Sequence, residues 1–154
     1  MAVFYMDTSA IAKRYVPETG STWVQALCSA ETITLSSLVI VEFATMPARR
    51  VREKSMSVTN RDAIQDQFDE DMTSYLLVDI DRSILDTAAS LALSAPAIIT
   101  LRALDSIHAA TMRAVVTSAH TSGASRPVFV SADTRLLAAA QWAGFATDNP
   151  EVHP

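Results

Sequence analysis

Four carboxylates in this chain stand where acids are seldom placed. Asp7 follows the apolar, β-prone run Val3-Phe4-Tyr5-Met6, and Asp133 follows Val128-Phe129-Val130 in the same manner. Glu42 lies inside Leu38-Val39-Ile40-Val41-Glu42-Phe43, while Asp105 has Leu101, Ala109 and Met112 at helical spacing. Each placement has an ordinary explanation. Asp7, Asp105 and Asp133 can cap helices, and Glu42 can reach out to water. Taken together they point to a shared role, because a carboxylate at a strand's carboxyl end sits where α/β sheets bind ligands. Four acids converging there repel one another and stay ionised together only if a divalent cation compensates them. An oxygen-only set suits Mg²⁺ or Mn²⁺. One cysteine and three scattered histidines offer no zinc pattern in competition. Such a site could hold one ion or two and activate a bound water, with Glu42 ligating directly or through water.

Around these acids stand residues able to assist. Ser9, Ser131 and Thr134 can orient carboxylates or metal-bound waters, or simply satisfy backbone groups at strand–helix junctions. His108, three residues after Asp105 on the same helical side, can back the site or be a satisfied core histidine. Lys13, Arg14, Arg49, Arg50, Arg52 and Lys54 are candidates for phosphate contacts, the alternatives being a solvated face or a patch for a partner's carboxylates. The net charge of −5 argues against a polyanion, but its distribution matters. Seven acids (Asp62, Asp66, Asp69, Glu70, Asp71, Asp79, Asp81) fall in residues 62–81 without a Lys or Arg among them, so the remainder of the chain is mildly basic.

The elements that must position the acids alternate in type. Strands are expected at Val3–Met6, Thr32–Leu35, Leu76–Ile80, Pro127–Ser131 and Phe145–Thr147. Helices are expected from Thr8 to Tyr15, over Ser21–Ala30, Leu38–Ala44, Arg61 to about Tyr75, Asp81 to about Leu93, Leu101–Met112 and Asp133–Trp142. Pro47 should kink or break the third of these, Thr59 with Asp62 should open the fourth as a capping box, and Gly144 should close the last. Thr117–Arg126 is small, polar and glycine-containing and reads as a surface loop. Strand–helix alternation predicts an α/β fold: a three-layer α/β/α sandwich around a mainly parallel sheet of four to five strands, in one domain over 1–154. With 49% apolar and 19% charged residues the chain is expected to be globular. A lone Cys28, no signal-peptide pattern and no apolar run of membrane length lead to a cytoplasmic expectation with no membrane partner.

The motifs MDTSA, SSLVIVEF, LRALDSIHAAT and FVSADTRLLAAAQWAGF, in that order and spacing, resemble the PIN domain family, and more narrowly the VapC-type toxins of type II toxin–antitoxin pairs. The resemblance covers nearly the whole chain. It implies a metal-dependent endoribonuclease with Asp7, Glu42, Asp105 and Asp133 as the acidic set, homodimerisation, and inhibition by a cognate antitoxin. The interruption at Met46-Pro47, the 117–126 loop and the acidic 62–81 strip depart from the family pattern without touching the acids. Three other classes gather acids in this way: a related nuclease acting in RNA processing or on structured DNA, a non-catalytic module holding a structural ion, and a phosphotransfer protein. The last would want a second acid beside Asp7, where this chain has Thr8-Ser9.

Overall fold

The computed structural model describes residues 2–153. Five parallel strands form one sheet: β1 (Val3–Met6), β2 (Thr32–Ser36), β3 (Leu76–Val78), β4 (Val128–Val130) and β5 (Ala146–Asp148), in the order β3-β2-β1-β4-β5. Tyr5 pairs with Thr34 on one side and with Phe129 on the other. The chain therefore steps from β1 to β2 and β3 in one direction, then jumps back across β1 to β4 and β5. Right-handed crossovers in opposite directions land on opposite faces, and the helices divide accordingly.

On one face lie α1 (Thr8–Ile11), α2 (Ser21–Ala30), α3 (Val39–Arg52) and α4 (Val58–Asp71), joined to the sheet through Met6, Ile33, Leu35 and Val130. Phe43 and Phe68 stack at 3.9 Å between centroids at the centre of this layer. On the other face α6 (Ala103–Ser122) and α7 (Thr134–Trp142) meet Tyr5 and Phe129, and α5 (Arg82–Ser94) packs outside against α6. The strands keep a strict period of two: Met6 faces the first layer, Tyr5 the second. The sandwich with its parallel sheet is the expected one, with every strand within a residue or two of its predicted place.

Three helical expectations are corrected. α3 runs through Pro47 to Arg52, because Val39, Phe43 and Pro47, four apart, form one buried stripe, and its packing outweighs the N–H that proline lacks. The segment predicted as the loop Thr117–Arg126 is helical as far as Ser122. Val115 and Ala119 extend the buried face of α6, and the hydroxyls of Thr117, Thr121 and Ser122 donate back to the carbonyls of Arg113, Thr117 and Ser118. Gly123, at φ +69°, ends it. α4 begins at Val58 under a Ser57 cap that accepts from the Asn60 N–H, not under Thr59.

The tail behind β5 folds back onto α2. His153 stacks on Trp23 at 4.2 Å, Glu151 reaches Lys13 at 3.1 Å, and Gly20, at φ +87°, lies so close to Pro150 that a Cβ there would stand 2.3 Å from the Pro150 carbonyl oxygen.

Candidate functional site

The reversal of strand order falls between β1 and β4, and a crevice at the carboxyl ends of such a pair is where open α/β sheets place ligands. Asp7 emerges from β1 at this point and Asp133 follows β4 by three residues. Two hydroxyls stitch the ends together. Ser9 Oγ donates to the Asp7 carboxylate at 2.8 and 2.9 Å and accepts from the Ala132 N–H at 2.9 Å. Ser131 Oγ donates to Asp7 Oδ2 at 2.9 Å and accepts from the Asp133 N–H at 3.0 Å. The orienting roles expected for Ser9 and Ser131 thus have their geometry. Thr134 makes no hydrogen bond to an acid among the described residues. It lines a separate cavity of about 200 Å³ with Ile98, Ile99 and Arg135, and an orienting role for it is not supported.

Asp7 is 5% exposed. Burial pushes its carboxyl above the ordinary value, outweighing His108 and the donors Ser9, Ser131 and Ala10. Its ionised form is therefore disfavoured by burial. The capping explanation is also realised, since Asp7 accepts from the Ala10 N–H at 3.0 Å. Glu42, on the first turn of α3, receives the Thr8 hydroxyl and lies 3.0 Å from His108 Nε2. Burial acts to raise its carboxyl, and the His108 and Thr8 contacts more than reverse this, holding it below the usual range.

Asp105 caps α6, accepting from the Arg102 N–H at 3.0 Å. One turn later the buried His108 senses Glu42, Asp7 and Asp105 together. Burial lowers its pKa, but those negative neighbours win and leave it raised. Asp133 caps α7 through the Arg135 N–H and also holds the Arg135 guanidinium at 2.9 Å. Burial works against that contact, yet the Arg135 bonds keep the Asp133 carboxyl low. Arg135 also senses Asp105. Asp7 and the turn carrying Asp133 are joined through Ser131, and Glu42 meets His108, which lies one turn after Asp105 on α6. Sequence reading missed Thr8, Tyr5 and Arg135. Tyr5 was visible only as a strand residue, while Thr8 and Arg135 sat inside the quoted motifs.

The donor chemistry, carboxylates and hydroxyls, fits a hard divalent cation. Among the described residues, however, no three His, Cys, Asp or Glu side chains are grouped tightly enough to hold an ion as they stand. Asp105 and Asp133 engage the Arg102 N–H and Arg135 instead. Most of the basic candidates are engaged too. Lys13 is 3% exposed and paired with Glu18 and Glu151, which withdraws it as a phosphate contact. Arg14 is held by Asp71 at 2.8 Å, Arg49 by Glu53 and Arg50 by Glu18. Arg52 and Lys54 form no ion pair among the described residues.

An α/β sandwich with acids at the strand ends around the point of strand reversal defines a class of ligand-binding sheet proteins. Residues 4–141 match the model of the PIN domain, and the chain belongs to that family. A search of curated proteins gave no match. Among solved structures the fold is similar to FitAcB from Neisseria gonorrhoeae, with TM-score 0.67 and 17% identity over 98% of this chain and 99% of that one. It is also similar to the Mycobacterium tuberculosis toxin VapC20, described as cleaving the sarcin–ricin loop (TM-score 0.65, 17% identity, 99% and 100% covered). VapBC2 from Rickettsia felis, solved with a fragment of promoter DNA, has TM-score 0.60 and 14% identity over 96% of this chain and 98% of that one. None of the described helices is long and apolar enough to cross a membrane.

Proposed function

We propose that this protein is a metal-dependent endoribonuclease that hydrolyses RNA phosphodiester bonds with Mg²⁺ or Mn²⁺, and that it is the toxin of a type II toxin–antitoxin pair. The observation that supports this reading is the buried Asp7 at the strand reversal of a PIN domain, tied through Ser131 to the turn that carries Asp133. Asp7, Asp105 and Asp133, with Glu42 directly or through water, would hold the ion. Once bound, it supplies a water of lowered pKa and offsets charge on the scissile phosphate. The chain's own residues do the rest: Ser9 and Ser131 fix the Asp7 oxygens, and His108 and Thr8 hold Glu42. Arg135 can exchange Asp133 for a phosphate, since a guanidinium binds either bidentately. A cognate antitoxin belongs to the same reading, supported by the similarity to FitAcB and VapBC2, and a homodimer is proposed with it.

The test incubates the purified chain with structured RNA and with duplex DNA in Mn²⁺ or EDTA. RNA cleavage that needs Mn²⁺ and spares DNA is expected. Cleavage in EDTA refutes metal dependence, and cutting of DNA alone refutes the ribonuclease assignment.

A further inference from the structure

Glu42, like Asp7, is held from inside the protein, through a chain of two buried residues. Tyr5, fully buried on β1, is directed by the strand's alternation toward α6, where its hydroxyl lies 2.7 Å from His108 Nδ1. The rings meet edge to face, 6.0 Å between centroids, and Phe129 closes the other side of Tyr5 at 5.2 Å. His108, 3% exposed, turns its second nitrogen to Glu42 Oε2 at 3.0 Å. The Thr8 hydroxyl donates to that same Oε2. Glu42 Oε1 accepts from no protein group among the described residues, and of Tyr5, His108 and Glu42 only Glu42 has appreciable exposure, 21% of its side chain. One oxygen is clamped and the other is presented outward.

We infer that Tyr5 and His108 are positioning residues: a two-link chain, running from the sheet's interior, that fixes Glu42 with one oxygen turned to the cation and substrate of the proposed nuclease site. The inference rests on that functional reading for its purpose, but not for its geometry. An ionised carboxylate only accepts, so the Nε2 facing it must carry a proton. In the neutral ring Nδ1 is then a bare acceptor, and the Tyr5 hydroxyl is the donor that meets it. If the ring is doubly protonated, the Tyr5 oxygen accepts instead and Nε2–H still points at Glu42. Either way the hydroxyl selects the ring orientation that serves the glutamate, as outer partners of ligand-bearing side chains commonly do.

Two measurements decide this. In metal-free wild-type protein at alkaline pH, the ring ¹⁵N signals of His108, assigned by their loss in His108→Gln, should show a protonated Nε2 and a bare Nδ1. The reverse pattern overturns the inference. Second, Mn²⁺ binding is followed by calorimetry in Tyr5→Phe, His108→Leu and His108→Gln, with folding checked by circular dichroism. Tyr5→Phe keeps every ring contact and loses only the hydroxyl, and Gln can place an amide N–H near the position of Nε2. Affinity should fall about 10–100-fold in Tyr5→Phe and His108→Leu and return to within a few-fold of wild type in His108→Gln. A purely structural histidine would leave Gln and Leu equally impaired, and that result overturns the inference, as does unaltered affinity in Tyr5→Phe. If wild type binds no Mn²⁺ and cleaves no RNA, the nuclease reading fails while the nitrogen signals still decide the orientation.

Discussion

Replacing Asp7 by Asn separates two roles superimposed at this position, the helix cap and the ligand-bearing acid. Asn caps a helix as well as Asp, so the bond from the Ala10 N–H survives on the amide oxygen, as does the shorter Ser9 contact. The second oxygen becomes an NH₂ group. The Ser131 hydroxyl, which donated to it at 2.9 Å, loses its acceptor and must turn toward Ser9 Oγ, 3.3 Å away. One neutral hydrogen bond is worth about 1 kcal/mol. Against this, the variant removes a charge that burial disfavours. A carboxyl whose folded pKa lies above its unfolded value of 3.8 binds more protons folded than unfolded between the two. Wild-type stability therefore falls as pH rises through that interval and stays reduced above it, and Asn suffers no such fall. Metal-free Asp7→Asn should thus be the less stable protein in acid by about 1 kcal/mol, draw level as pH rises, and match or exceed wild type near neutrality. Its metal-dependent RNA cleavage should be abolished. Urea unfolding across pH, beside a cleavage assay on the same preparations, measures both. A neutral-pH loss above about 3 kcal/mol, larger than a single hydrogen bond can explain, would show Asp7 to be a structural anchor. Full activity in the variant would remove it from the site.

Phe43→Ala should lose about 3–5 kcal/mol in urea unfolding, since Phe43 is fully buried and stacked on Phe68 with Tyr15 edge-on at 5.2 Å. Gly20→Ala must accept a left-handed backbone, at about 1–2 kcal/mol, and also displace Pro150. Loss of the Trp23–His153 stack should appear as a change in tryptophan fluorescence. If RNA crosses the end of α3, Arg52→Ala should lower the slope of log affinity against log salt by about 0.7, whereas Arg50→Ala, already paired with Glu18, should leave it unchanged.

The strands were legible because they depend on short-range pattern, apolar runs of strand length, and the four acids drew notice as carboxylates placed against that pattern. What escaped depended on partners distant in sequence. Nothing near Pro47 signals that its ring fills the same buried stripe as Val39 and Phe43. The polar 117–122 segment satisfies its own hydroxyls within α6, so its composition imitates a loop. Lys13 resembled a surface cation because its partner Glu151 lies 138 residues away. The link from Tyr5 to His108 likewise spans 103 residues and depends on which face of β1 meets α6. At the candidate site, the sequence pointed to Asp133 and Asp105 but not to the groups they bond, Arg135 and the Arg102 N–H.

The fold-back of the last residues has a practical side. Lys13 belongs to the single 3₁₀ turn that continues α1, the helix that begins directly after Asp7, and its ammonium is neutralised in part from the far end of the chain. A deletion back to Asp148 would sever a tether that leads within two turns to Asp7. Inert preparations made that way would report on the lost tether.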